Sequence, residues 1–458
     1  MHNKHHIPRH DTAFGDTAFD LRQQRQIVCD SGDNFARPGG IHDIPQAAQA
    51  AFRWLILIVG AVVAATFASA SGWGLKDNAV TLLPYSGEGP AYAPKINNSG
   101  DVAGTGYTSY TNGTPQAIVW RGGNEINLHA AFDEADLDIT SARTINDNGV
   151  VALSVTIGGT TRGMTWSGGT FNELTIEIVG KEVHATTASA INNSGVVAGH
   201  VEFKGEGAGL RGIAVWRNGE FSFLHDTTGG MYDSTPLAIN NNGNMAGIVY
   251  ANAGDPMNAA MWVSDDTTFT FVNLGGLIGS STSIANGIND DGLVVGRATL
   301  DGITRAVIWR DTEGTFTDLH NFVGGGAYSY AYGINKDGAV AGDAEIDGTE
   351  HAVVWMPGTD GQYELVDINK LAAEAGLLVS GSDSPEGFLS LTYANDINNY
   401  NQVVGYGPYF DGTSVVIRSF ILELEFVSAV AVPEPATWTV LAGLALLACA
   451  TLCRRRRR

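Results

Sequence analysis

Six histidines lie between residues 71 and 426: His129, His184, His200, His225, His320 and His351. Gathered with carboxylates they would bind a metal or run acid–base chemistry, because imidazole is a good metal ligand and titrates near neutrality. They fall at unrelated phases of the pattern described below, and no His-Glu-x-x-His pair accompanies them, so no metal site is expected there. His2, His5, His6 and His10 crowd the start of the chain without Cys or carboxylate partners at a structured spacing. Asp290, Asp291, Asp337 and Asp343 sit in or beside turns, where bonding the local backbone explains them and weak Ca²⁺ binding is the alternative. No Gly-x-Ser-x-Gly elbow, phosphate loop or EF-hand loop occurs in this stretch, so neither a catalytic constellation nor a cofactor is expected. The remaining candidates are aromatic: Trp120, Trp166, Trp216, Trp262, Trp309 and Trp355 could stack on sugars. They return at one phase, however, and a residue present in every repeat packs between repeats.

The element that sets this phase is Ile-Asn followed by a turn. It reads Ile96-Asn97-Asn98-Ser99-Gly100, then Ile145-Asn146, Ile191-Asn192, Ile239-Asn240, Ile288-Asn289, Ile334-Asn335 and Ile397-Asn398, at spacings of 49, 46, 48, 49, 46 and 63. The Asn/Asp-x-Gly corner supplies residues that tolerate positive φ, and small apolar residues such as Val340-Ala341-Gly342 follow it, which predicts a tight hairpin. The Asn side chains are expected to bond their own turn. About a dozen residues on, a second two-residue turn is expected at Asn112-Gly113, Gly158-Gly159, Asp301-Gly302, Asp347-Gly348 and Asp411-Gly412. A third strand ends in the tryptophan, and a fourth follows another Gly-rich turn.

Each unit is thus a meander of four short antiparallel strands, about the length of a propeller blade. The expected fold is all-β: a seven-bladed β-propeller over residues 71–426, with an open solenoid as the alternative. The seventh unit has strands at Ile397, at Gln402–Tyr406 and at Arg418–Glu423 but no fourth, while residues 78–83 precede the first unit as a strand without a partner. That N-terminal strand is expected to complete the last blade and cover two sheet edges. The extra residues before Ile397 predict a short helix at Lys370–Gly376 and a loop through Ser382-Asp383-Ser384-Pro385-Glu386-Gly387, acting as a passive lid.

With 58 glycines in 458 residues and 44% apolar residues, the chain can bury a core built from short strands. Residues 71–435 carry 15 Lys and Arg against 42 Asp and Glu, an acidic surface that disfavours nucleic acid. The three cysteines, Cys29, Cys449 and Cys453, all lie outside the repeats, so no disulfide can hold them.

Both ends read as addresses. Arg53 precedes an apolar stretch of 14 residues and then Ala68-Ser69-Ala70, so residues 54–70 form a signal peptide with cleavage expected after Ala70. Residues 1–53 are an unstructured leader or a misassigned start. At the other end, residues 427–436 hold Pro433-Glu434-Pro435. Residues 437–453 are 17 without charge, about 25 Å as a helix, and Arg454, Arg455, Arg456, Arg457 and Arg458 close the sequence. The arginines stay in the cytoplasm and the repeats outside.

This collar, helix and arginine tail closely resembles the PEP-CTERM sorting signal of Gram-negative bacteria. The resemblance implies processing by an exosortase near Pro433-Glu434-Pro435, after a stage anchored in the inner membrane, and passage to the cell surface or to an extracellular polysaccharide matrix. The repeats resemble the HAF repeat family of exported proteins. The triplet appears as His351-Ala352-Val353, with Gln116-Ala117-Ile118, Arg305-Ala306-Val307 and Arg418-Ser419-Phe420 as degenerate copies, and Leu274-Gly275-Gly276-Leu277 matches a second family element. That resemblance implies repeats and export, and no activity.

The function expected from all this is a non-catalytic surface or matrix protein, associated with exopolysaccharide. A polysaccharide-degrading propeller is the rival, and it requires a non-repeating cluster of carboxylates at the channel mouth. A Ca²⁺-dependent adhesin is the third reading.

Overall fold

The computed structural model describes residues 72–427, apart from 133–136, 178–181, 205–210, 225–232, 251–254, 266–267, 276–281, 311–314 and 382–384. The leader, Ala68, Ala70, the Pro-Glu-Pro collar, the apolar segment 437–453 and the arginine tail lie outside these residues, as do His225, Gly276 and Leu277. Among the described residues no helix is long and apolar enough to cross a membrane.

Seven antiparallel sheets follow one another along the chain, six of them four-stranded in sequence order. Their first strands are Ala91–Ile96, Leu137–Ile145, Val183–Ile191, Asp233–Ile239, Ser283–Ile288, Ser329–Ile334 and Tyr393–Ile397. All seven end on the isoleucine of the repeat. The turn after it closes because its last residue adopts a left-handed conformation: φ is 72–86° at Gly100, Gly149, Gly195, Gly243, Gly292 and Gly338, and 59° at Asn401. Just before the isoleucine each first strand carries a bulge. A bulge pushes backbone outward, and here it explains the glycine of the second strand. A Cβ at Gly104, Gly199, Gly247, Gly296, Gly342 or Gly405 would stand 1.8–2.2 Å from a first-strand carbonyl oxygen.

Of the five two-residue turns expected between second and third strands, three form. Gly158-Gly159, Asp301-Gly302 and Asp347-Gly348 have positive φ at both positions, as a type I′ hairpin requires. The other two differ. Asn112-Gly113 lies in a longer loop between Val102–Tyr107 and Pro115–Arg121, and Asp411 caps a four-residue loop by accepting from the backbone N–H of Thr413 and Ser414. Both dipeptides look like tight turns locally, but the strands flanking them end earlier than the turn would need.

Blade 7 closes the ring. Its third strand, Val415–Val427, pairs with Gly72–Leu75 and with Thr81–Leu82, so the fourth-strand position is filled from the N-terminal side as expected. The filling strand is split in two by a 3-10 turn at Lys76–Asn78, with φ of 56° at Asp77. The core confirms closure over an open solenoid. Among the described residues seven apolar clusters occur, one between each pair of neighbouring blades, and the last joins blade 1 to Val404 and Ile421 of blade 7. Each tryptophan sits in the cluster shared with the preceding blade, at 0–4% exposure. Burying so large a ring contributes about 4 kcal/mol. The insertion forms a helix at Ile368–Glu374, capped by Asp367, and its Ile368 and Ala372 pack into the core between blades 6 and 7.

Candidate functional site

The first strands bring two sets of side chains to the axis. At their ends, the seven repeat asparagines join in a ring. Each Nδ2 donates to the carbonyl of the next asparagine: Asn97 to Asn146, then Asn192, Asn240, Asn289, Asn335, Asn398 and back to Asn97, at 2.9–3.1 Å. Each Oδ1 meanwhile accepts from its own turn, as Asn192 does from the backbone N–H of Ser194 and Val196. The own-turn bond agrees with the sequence; the link from blade to blade is new. A second tier follows, in which Asn98, Asp147, Asn193, Asn241 and Asn399 each give a backbone N–H to the next blade's side chain, or take one from the blade before, at 2.8–3.0 Å. Lys336 interrupts this tier because its side chain has no acceptor. The rings surround a polar cavity of about 180 Å³, floored by the isoleucines. Below them a second cavity of about 140 Å³ holds the Lys95–Asp396 ion pair, at 3.5 Å. Asp396 is buried, and burial pushes its carboxyl up while Lys95 opposes the shift. In the first ring every amide links its blade to the next, so these asparagines have a structural role.

Chemistry that does not repeat lies elsewhere, four residues before each isoleucine and about 13 Å back along the first strands. In blades 2–5 this position holds Ser141, Thr187, Thr235 and Ile284; in blades 6, 7 and 1 it holds Tyr330, Tyr393 and Tyr92. Opposite, on the second strands, the residue after the close-packed glycine meets the following blade. Thr105 donates to Ser141 at 2.9 Å, His200 lies 3.2 Å from Asp233, and the Arg297 guanidinium sits 5.1 Å over the Tyr330 ring. Tyr406 occupies this position in blade 7. Its ring stacks on Tyr393 at 4.6 Å and meets Tyr92 edge-on at 4.9 Å. Tyr330 stacks with Tyr332 at 6.3 Å and Tyr328 lies 5.4 Å from Tyr330. The result is an arc of half-buried tyrosines across blades 6, 7 and 1.

In blade 6 the same second-strand position is Asp343. The sequence places it beside a turn; it is instead inside the strand Val340–Ile346, opposite Tyr330 and Ala352, at 0% exposure. Its two oxygens make no hydrogen bond of ordinary geometry. Burial pushes its carboxyl up to about 7; Glu350 adds to the rise, while the Tyr332 hydroxyl and Arg297 oppose it. Alternation along the strands sets Glu345 and Glu350 on the same face as Asp343. Glu350 accepts from the Tyr328 hydroxyl at 3.0 Å. Burial raises the Tyr332, Tyr393, Tyr406 and Tyr328 hydroxyls well above their usual range, helped next by Asp343 at Tyr332, by Glu350 at Tyr393 and Tyr328, and by Tyr92 ahead of the carboxylates at Tyr406. The tyrosines therefore stay neutral donors, and the arc carries the negative field of the acids beneath it.

The other sequence candidates are spread around the ring. His200, His320 and His351 serve separate contacts: His320 Nδ1 bonds Ser329 at 2.9 Å, and His351 Nδ1 bonds Asp367 at 2.8 Å. Ser329 also accepts from the Ala306 N–H, as Ser283 does from Ala259, so the Ser–His pair repeats a structural bond. Asp290 belongs to the second tier and Asp337 pairs with Lys336 at 2.6 Å. Among the described residues no three His, Cys, Asp or Glu side chains form a metal site.

Residues 431–458 match the PEP-CTERM protein-sorting motif, which marks the protein for export and for processing at the membrane by an exosortase-type enzyme. No curated protein sequence matches the chain. Among solved structures it is similar to a post-proline cleaving enzyme from Rickettsia typhi, at 10% identity over 73% of this chain and 52% of that one, with a TM-score of 0.45. A prolyl endopeptidase gives 9% identity over 76% and 50%, with a TM-score of 0.43. A putative gluconolactonase gives 10% over 77% and 93%, with a TM-score of 0.34. The chain spans about half the length of the two peptidases. At these scores the likenesses say nothing about activity.

Proposed function

We propose that the protein is an exported, non-catalytic propeller of the cell surface or extracellular matrix, and that it holds an extracellular polysaccharide on the tyrosine arc of blades 6, 7 and 1. In this reading residues 54–70 direct export and are removed after Ala70. The apolar segment 437–453 spans the inner membrane with Arg454–Arg458 in the cytoplasm, until an exosortase-type enzyme cuts near Pro433-Glu434-Pro435. The observation that carries the binding role is the departure of the arc from the repeat: tyrosines appear at one position in three adjacent blades, two of them packed against Tyr406, and small or aliphatic residues in the other four. Ring faces flanked by hydroxyls and carboxylates suit pyranose rings, which present an apolar face and an equatorial rim of hydroxyls.

We propose too that the repeats are HAF repeats. The histidine position of the triplet has a role that supports this: on the third strand this side chain pairs with the end of the fourth. His351 bonds Asp367, Arg305 bonds Asp318 at 2.9 Å, Gln116 bonds Asn127 at 2.8 Å and Arg162 bonds Glu173 at 3.1 Å. Repeats can therefore exchange His, Arg and Gln there without losing the pair.

One observation favours the rival enzyme. Asp343 holds its proton near neutrality, and Glu350 is its diagonal neighbour on the same face, as a polysaccharide-cleaving pair would require. Against it stands the complete burial of Asp343, which keeps its oxygens from a glycosidic bond. The test is the processed protein recovered from producing cells, applied to an array of envelope polysaccharides and assayed for released ends. Retention without turnover, weakened by Tyr393→Ala, is expected. Turnover would establish the enzyme, and the absence of retention on any polymer would end the binding proposal.

A further inference from the structure

We infer that the tyrosine arc selects a polysaccharide bearing protonated amino groups, a polyamino-sugar, over neutral and uronic-acid polymers. This rests on the arc being the polymer-binding surface, and it adds the charge of the ligand.

Three independent features of the arc point to a cation. The rings themselves favour one: an ammonium held over a phenol face is attracted by the negative face of the ring. The arc already shows this use, since the Arg297 guanidinium lies 5.1 Å over Tyr330 at its blade 5 end. The fixed charge is the second feature. Glu345 and Glu350 lie on the face of blade 6 that meets the arc, with Arg297 as the cation set against them. Glu350 already takes the Tyr328 hydroxyl at 3.0 Å and keeps further acceptor sites for an amine.

Asp343 is the third. It is fully buried beneath Tyr332, Tyr393 and Tyr406, with neither oxygen in a hydrogen bond of ordinary geometry. In its ionised form Asp343 lends negative potential to whatever lies over the rings, offset in part by the Tyr332 hydroxyl and Arg297 and poorly screened by its surroundings. An amine above the arc stabilises the charged form of Asp343; a uronate carboxylate opposes it. The whole exported body adds to this preference, with 42 acidic against 15 basic residues between 71 and 435. Neutral sugars gain the stacking alone, and anionic polymers lose more to repulsion than stacking returns. A basic peptide would share the charge but has no ring faces to lay on stacked tyrosines.

The experiment is calorimetric titration of the processed protein with four probes at pH 7 and moderate salt: a glucosamine oligomer, its fully N-acetylated form, a polyuronate oligomer and oligolysine. The glucosamine oligomer is expected to bind about tenfold more tightly than the acetylated one, and the polyuronate not measurably. Glu350→Gln, which keeps the Tyr328 contact with a neutral acceptor, should shrink that preference about fivefold while leaving the melting temperature in place. Tyr393→Ala should weaken both sugars together. Equal or tighter binding of the acetylated oligomer overturns the inference and leaves the polysaccharide reading standing. Oligolysine binding as well as the amino-sugar oligomer also overturns it, in favour of a basic peptide. Binding of none of the sugars removes the inference and the reading together.

Discussion

Replacing Asn192 by Asp exchanges one NH₂ for an oxygen and separates the two tasks of the ring. Asn192 is 4% exposed; its Oδ1 accepts from Ser194 and Val196, and its Nδ2 donates to the Asn240 carbonyl at 3.0 Å. A carboxylate keeps both turn bonds and strengthens them by its charge, so a turn role alone predicts a neutral or slightly stabilising change. The blade-to-blade role predicts the opposite. The bond to Asn240 is lost, worth about 1 kcal/mol, and the buried carbonyl then faces a second acceptor, at a further cost of about 1–3 kcal/mol. The expected loss at pH 8 is therefore about 2–4 kcal/mol, read from the urea midpoint of tryptophan fluorescence. The introduced carboxyl resists ionisation in the fold, so its folded pKa is raised. Stability is thus retained at low pH and lost as pH rises, because a protonated carboxyl donates to Asn240 as the amide did. A loss below about 0.5 kcal/mol at pH 8, or a loss that is the same at pH 4 and pH 8, would refute the inter-blade ring.

Asp343→Asn should stabilise the protein above pH 7. The carboxyl stands at about 7 in the fold against 3.8 unfolded, and three units correspond to at most about 4 kcal/mol, lost by the wild type as pH rises from about 4 to 7; parallel stability curves for the two proteins over that range would contradict the burial argument. Trp355→Ala removes a ring with no exposed surface and a bond from its Nε1 to the Leu319 carbonyl at 3.1 Å, so equilibrium unfolding should show a loss of about 3–5 kcal/mol. Deleting residues 72–82 bares the edge of the strand Val415–Val427, and sedimentation velocity should then show association where the intact protein remains a single species.

The blades were legible because the Ile-Asn turn, the glycine after it and the tryptophan return at fixed offsets, and each answers to a local constraint. Ring closure was legible too, since blade 7 lacked a strand and residues 78–83 had none to pair with. The donation from Asn97 to Asn146 was not: its partner is 49 residues away, and only the circular stacking brings the two together. Asp343 was misplaced because a carboxylate five residues past a Gly-containing turn looks like turn chemistry until strand register puts it opposite Tyr330. The tyrosine arc left a signal that went unused. Aligning the repeats on their isoleucines shows one column that reads Tyr, Ser, Thr, Thr, Ile, Tyr, Tyr, and a column that varies inside a strict repeat is free of the packing duty that fixes its neighbours.

The pairing of Gly72–Leu75 with Leu424–Val427 carries a consequence for biogenesis. Export led by the N-terminus would leave the first strand waiting for the last one, with the earlier blades forming an arc with raw edges at both ends. Only when the strand reaching Val427 has crossed can the circle lock. Holding factors that shield nascent chains therefore matter for this protein until its final few dozen residues arrive, and slow secretion should raise its losses to misassembly more than slow folding does.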